Sequence, residues 1–187
     1  MLKIYLASKS PRRQELLKLM GLPFQLLLKD VDERYPSNLE PTQVASYISE
    51  IKAKSYDPQL DGIILTADTV VIIDDEILGK PLNAKHAFEM LKKLSGKMHI
   101  VITAFSIVHK TKIKTYSETT EVYFKHLSDL QIINYVENCK PFDKAGAYGI
   151  QEWMGLIAIQ KIVGSYTNVM GLPTEKLYAV LQELEIL

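Results

Sequence analysis

One cysteine, one tryptophan and no net charge are what this 187-residue chain does with. The single Cys139 excludes a disulfide within the chain and a cysteine-rich zinc site. The 22 basic and 22 acidic side chains cancel, so no global field recruits nucleic acid or an anionic membrane, and any anion site has to be local. No apolar run approaches the roughly 20 residues needed to span a bilayer. The opening MLKIYLASK is too short and too soon interrupted for a secretory signal, so the cytoplasm is the expected compartment. H-E-x-x-H, G-x-S-x-G, G-x-G-x-x-G and the Walker pattern are all missing, and four scattered histidines make no zinc site.

What is present suits a packed core. Hydrophobic residues make up 47% and charged residues 24% of the chain, and the length suits one domain over residues 1–187, or two small lobes sharing a core. Lys3 to Ala7 reads as a strand. Ser10-Pro11 is an N-cap followed by a residue suited to the first helical position, opening a helix with apolar Leu16, Leu19 and Met20 that Gly21 closes. Phe24 to Leu28 reads as a short buried strand, and a helix near Pro41 carries Val44, Ile48 and Ile51. Ile63 to Ile73 (IILTADTVVII) suits a strand buried on both faces, turned back at Asp74-Asp75. Asn83 caps a helix bearing Phe88, Leu91 and Leu94. His99 to His109 and Lys112 to Leu127 suggest an antiparallel pair, and Ser128 with Gln131 forms a capping-box signature. Leu156 to Ile162 reads as a strand, followed by a Gly/Ser/Asn loop and a last helix from about Thr174. Strands and helices mix without strict alternation, so an α/β fold with a mixed sheet is expected.

Several residues break local rules. Arg12 and Arg13 stand at the positive end of a helix dipole, where cations are unfavourable by a few tenths of a kcal/mol. Either both lie along the surface, or they grip an anion together with the helix N-terminus and the hydroxyls of Ser8 and Ser10. On the anion reading, removing either arginine should weaken triphosphate turnover and leave the fold intact. Asp68 sits amid a buried apolar run, where an unpaired carboxylate is costly. It is either satisfied by backbone amides or serves as metal ligand or general base. Lys52 falls on the apolar face of its helix, as a snorkelling lysine would. Glu33 belongs to an acidic loop cluster, and Lys80 lies in the tight loop Gly79-Lys80-Pro81. DKAGAYGIQ (Asp143–Gln151) has glycines three apart, which allow close backbone approach to a ligand. Together these cations and carboxylates describe a site for a polyphosphate and a divalent metal.

The chain also resembles the Maf family of nucleotide pyrophosphatases over nearly its full length. The resemblance rests on Leu6–Arg13 (LASKSPRR), Ala67–Val71 (ADTVV), Gly79–Pro81 (GKP), Leu94–Gly96 (LSG), Asp143–Gln151, and Gly164-Ser-Tyr with Val169–Pro173 (VMGLP). DKAGAYGIQ is similar to the branch acting on dTTP and UTP. The resemblance implies an elongated, twisted mixed sheet with flanking helices, ITPase-like, whose two lobes flank a central cleft. It implies a divalent cation, Mg2+ or Mn2+, a nucleoside triphosphate substrate, a cytoplasmic setting and no membrane, and it admits a homodimer. Carried onto matching positions, it makes Asp68 the proton acceptor and Arg12, Thr69 and Gln151 the determinants of base choice. Ser8, Arg13, Lys52 and Lys80 become substrate contacts, and Glu33 joins Asp68 at the metal. One departure is Glu152-Trp153-Met154, where many relatives continue with glycine. The alternative is a non-enzymatic nucleotide- or nucleic-acid-binding regulator of cell division, which the neutral charge and missing basic stripe count against.

Overall fold

Residues 2–186 are described by the computed structural model. Strands β1 (Ile4–Leu6), β2 (Phe24–Leu26), β3 (Ile63–Ile73), β4 (Glu76–Leu78), β5 (Met98–His109), β6 (Lys112–Phe124) and β7 (Ile159–Val163) join one sheet. Their order is β2-β1-β3-β5-β6-β7, with β4 on β3 beside that path. β1 pairs in parallel with β2 and β3, whereas β4 on β3 and β7 on β6 are antiparallel. The sheet is mixed, as the irregular alternation of elements predicts. Helices α1 (Pro11–Leu19), α2 (Pro41–Lys54), α3 (Ala84–Leu94), α4 (Asp129–Cys139), α5 (Trp153–Ala158), α6 (Tyr166–Met170) and α7 (Thr174–Glu183) complete the fold, with a 3-10 turn at Ala145–Ala147.

The chain divides into two compact units. One holds the residues up to Thr69, Thr103–Glu118 and those from Gly171 on; the other holds Val70–Ile102 and Thr119–Met170. In the first unit, α2 buries Val44, Ala45, Ile48, Ser49 and Ala53, and Ala53 packs with Ile64 of β3 and Val108 of β5. In the second, α3 packs on α4, and Leu91, Leu94, Ile132, Tyr135 and Met154 are almost fully buried.

A line of hydroxyls fixes how α2 meets the sheet. Ser49 Oγ lies 3.3 Å from Thr66 Oγ1 and 2.9 Å from Ser106 Oγ, which lies 2.8 Å from Thr115 Oγ1. Thr66 Oγ1 also donates to the Ser49 carbonyl at 2.7 Å. Ser49, Thr66 and Ser106 are wholly buried, so each polar group here needs its partner. Lys52 stands one helical turn beyond Ser49, and Asp68 two strand residues beyond Thr66 on the same face. The hydroxyl contacts therefore set the register that brings the helix lysine to the strand carboxylate.

Some expectations are corrected. β2 is a half-exposed edge rather than a buried strand, with Leu26 47% accessible. α1 buries Leu16 and Leu17, while Leu19 faces solvent. Leu156 to Ile162 is helical through Ala158 before β7 begins. Met154 and Ala158, four apart, supply the buried helical stripe there, and Leu156 is exposed. Part of the expected Gly/Ser/Asn loop is α6, whose Asn168 N–H donates to Ser165 Oγ at 3.2 Å in an N-cap manner. Asn168 itself is buried and donates to the Val101 carbonyl and Thr120 Oγ1.

Candidate active site

The middle of β3 is where its burial lapses. Residues 63–67 and 70–73 are buried, while Asp68 and Thr69 are partly open. Successive strand residues face opposite sides, so these two side chains serve different surroundings.

Asp68 meets α2. Lys52 Nζ donates to Asp68 Oδ1 at 2.9 Å and pairs with Glu33 Oε1 at 3.0 Å. The Lys52 and Asp68 side chains are only 15% and 14% accessible, whereas Glu33 is about half exposed. The buried carboxylate of β3 thus has a cation, which comes from a helix sixteen residues earlier. Lys52 does not snorkel into water; its head lies against two acids.

Thr69 meets Arg13. The guanidinium donates Nε to the Gly171 carbonyl (2.8 Å), Nη1 to the Ala67 carbonyl (2.9 Å) and Ser8 Oγ (3.3 Å), and Nη2 to Thr69 Oγ1 (3.0 Å). Thr69 Oγ1 is also 2.9 Å from Thr103 Oγ1. Burial lowers the Arg13 pKa, with the neighbouring Arg12 charge acting the same way and the Asp68 and Glu33 charges opposing it. An arginine stays protonated through such a shift. The expectation that either arginine could go without cost to the fold is therefore corrected for Arg13. Its planar fork ties α1 to β3 and to the backbone at Gly171.

The start of α1 is partly satisfied from within. Ser8 Oγ accepts from Ser10 N–H at 3.2 Å, and Ser10 Oγ accepts from Arg13 N–H as the N-cap. Arg12 stands half-buried beside Arg13.

Lys80 and Gln151 belong to the second unit and are exposed. Their loops are joined, because Gly146 N–H donates to the Gly79 carbonyl at 3.1 Å. Gly146 has φ +68, and a Cβ there would press on Val71 at 3.0 Å, so glycine is required where this loop crosses β3. Tyr148 is buried against His99, with its hydroxyl 2.8 Å from His99 Nε2. His99 Nδ1 has no partner, and burial pushes the His99 pKa down to about 3.

Among the described residues, no group of three or more His, Cys, Asp or Glu gathers as a metal cage. Glu33 and Asp68 are two carboxylates brought to one point by Lys52, each with a second oxygen outside those pairs. Mg2+ is commonly held by one or two carboxylates with water and substrate phosphates, so this donor set fits a metal shared with a bound polyphosphate.

Residues 3–184 match the family model described as Maf-like protein. The chain belongs to the Maf family. A dTTP/UTP pyrophosphatase of Flavobacterium johnsoniae is 48% identical over 184 residues, covering 97% of this chain and 95% of that one. Another, of Thermosipho africanus, is 50% identical over 180 residues, covering 96% and 92%. Among solved structures, the Staphylococcus aureus Ham1 protein superposes with TM-score 0.57 at 14% identity, covering 97% of this chain and 98% of the other. A HAM1 protein from Coxiella burnetii gives 0.52 at 15%, covering 98% and 100%. At such identities the likeness is one of fold. No helix of the described residues is long and apolar enough to cross a membrane.

Of the residues singled out in the sequence, Glu33, Lys52 and Asp68 meet as one cluster, and Ser8, Arg13 and Thr69 as another. The sequence reading missed the partners that hold them: the carbonyls of Ala67 and Gly171, the hydroxyl of Thr103, and Ser49 with Thr66. Only Ser49 left a trace, as a hydroxyl on the apolar face of α2.

Proposed function

We propose that the protein hydrolyses dTTP and UTP, and modified pyrimidine triphosphates with them, to the nucleoside monophosphate and pyrophosphate, clearing the nucleotide pool. The observation that carries this reading is the pairing of Lys52 with both Asp68 and Glu33, in a chain about half identical to dTTP/UTP pyrophosphatases along its whole length.

Asp68 is the proton acceptor. Lys52 donates to its Oδ1, which orients the carboxylate and leaves Oδ2 to take a proton from water. The deprotonated water oxygen bonds to the α-phosphorus, and the bond from that phosphorus to the bridging oxygen breaks. Pyrophosphate departs with the electron pair. Charge builds on the phosphoryl oxygens during this exchange, and Arg12, Lys52 and Lys80 stabilise it by position rather than by covalent chemistry. Arg13 and Ser8 hold the substrate-facing start of α1 in place. Glu33 and Asp68 would hold Mg2+ or Mn2+, which when bound supplies Lewis acidity and neutralises the triphosphate. Gln151, whose amide both donates and accepts, reads the uracil-type edge with Arg12 and Thr69. We take residues 1–187 to act as one domain, in the cytoplasm and without a nucleic-acid partner, with pairing of two copies compatible with this role.

A pyrophosphate-release screen over ordinary and modified triphosphates, with Mg2+ or Mn2+, tests the proposal. Turnover should be highest with UTP and dTTP, and oxygen from labelled water should appear in the monophosphate. Nucleoside diphosphate plus orthophosphate would instead mean attack at the γ-phosphorus and would refute it.

A further inference from the structure

The loop that carries Gln151 is held by a group the proposed chemistry does not use. Lys144, inside that loop, has a side chain only 8% accessible, and its ammonium pairs with Asp143 Oδ1 at 2.7 Å and Glu152 Oε1 at 3.0 Å. The other Glu152 oxygen, Oε2, accepts from the Tyr135 hydroxyl of α4 at 2.7 Å. That same hydroxyl accepts from Gly149 N–H at 3.3 Å. Burial and the Glu152 charge both raise the Tyr135 pKa, so the hydroxyl remains the donor. Glu152 N–H also donates to the Gly149 carbonyl at 3.1 Å, and a Cβ on Gly149 would meet the Glu152 carboxyl carbon at 2.8 Å. The glutamate thus closes on the backbone of Gly149 from one side while gripping Lys144 and Tyr135 on the other.

Gln151 is exposed and is the residue immediately before Glu152. An exposed side chain has no packing to orient it, so its direction comes from its backbone. We infer that Glu152 is a specificity-positioning residue: by joining Lys144, Tyr135 and Gly149 it fixes the backbone from which Gln151 reaches the pyrimidine. This latch rests on the reading of Gln151 as a base contact.

Glu152→Gln keeps the shape and can still accept from Tyr135, but it loses the pairing with Lys144, which retains Asp143. Tyr135→Phe removes the other arm and spares the ion pair. Both variants, Gln151→Ala and the double variant Gln151→Ala/Glu152→Gln are assayed with UTP, dTTP and GTP in the full chain with Mg2+. Glu152→Gln should lower kcat/KM for UTP and dTTP relative to GTP, chiefly through KM, by about ten- to a hundredfold, as small misplacements of a substrate contact do. The double variant should be no worse than Gln151→Ala, because the latch acts through that residue. Hydrogen exchange at the Gly149 amide should quicken in both latch variants. If Gln151→Ala leaves the pyrimidine preference unchanged, the base reading itself fails. If Gln151→Ala changes the preference and Glu152→Gln and Tyr135→Phe do not, the latch alone is refuted. Equal loss for all three nucleotides in kcat also refutes it, since that marks general support of the fold.

Discussion

Arg13→Met should unfold this protein more readily, although the arginine sits where a helix dipole disfavours it. The fork makes four hydrogen bonds, two to hydroxyls and two to carbonyls. The hydroxyls keep other partners, since Ser8 Oγ still accepts from Ser10 N–H and Thr69 still faces Thr103. The carbonyls of Ala67 and Gly171 lose a charged donor, and an unsatisfied polar group costs about 1–3 kcal/mol each. Against this stands relief from desolvating a cation beside Arg12, worth about 1 kcal/mol or less at a helix start. The balance is a loss of about 3 kcal/mol, or roughly 6–12 °C in Tm for a chain of this size. Arg13→Lys separates geometry from charge. A lysine ammonium is a point donor that cannot span the four acceptors, so this variant should lose most of the same stability. Thermal unfolding by circular dichroism, with and without UTP, measures both. An unchanged Tm in Arg13→Met would refute the structural role, and a wild-type Tm and turnover in Arg13→Lys would refute the role of the fork.

Asp68→Asn should depress turnover of every triphosphate together, whereas Gln151→Ala should cut UTP and dTTP more than GTP, by about 1–3 kcal/mol of discrimination; kcat/KM for three nucleotides decides. His99 titrates near 6.5 in the unfolded chain and at about 3 when folded, so between these values the unfolded state binds the extra proton. Stability therefore falls as pH drops from about 6.5 toward 3, by about 2 kcal/mol between pH 7 and 5. His99→Gln should remove that part of the slope in urea titrations, and an unaltered slope would contradict it. Gly155→Ala would set a Cβ 1.7 Å from the Ile150 carbonyl oxygen, so α5 must shift. Such overpacking should cost about 3 kcal/mol or more and should also raise KM for UTP, because Ile150 neighbours Gln151.

How far the sequence could be read varied with the range of the interactions involved. The long apolar run of β3, the N-caps Ser10 and Asn83 and the capping box at Ser128 are local, and the structure has each of them. Asp68 was visible as an anomaly because an acid inside IILTADTVVII has no local explanation. Its partner was not visible: the spacing from Lys52 is set by how α2 lies on the sheet, which no short window contains. Arg13 shows the opposite limit. From the dipole alone both arginines look alike, but Arg13 has acceptors 54, 56 and 158 residues away. The segment after Gln151 misled for a local reason, since Leu156-Ile157-Ala158-Ile159 is apolar enough for either element and only the burial of Met154 with Ala158 reveals the helix.

The buried hydroxyls beneath α2 bear on how this sequence can change over time. Thr66 spends its only proton on the Ser49 carbonyl, and Ser49 Oγ has three acceptors within reach: Thr66 Oγ1, the Thr66 carbonyl at 3.4 Å and Ser106 Oγ at 2.9 Å. Replacing Ser49, Thr66 or Ser106 alone by alanine or valine takes a hydrogen-bond partner from a neighbour in a dry interior, whereas replacing the three together removes both sides of those contacts. Positions 49, 66 and 106 are therefore coupled: exchanging one hydroxyl alone for an apolar group costs more than exchanging the three together. The register of Lys52 on Asp68 inherits that inertia, because the contacts that set it cannot drift one residue at a time.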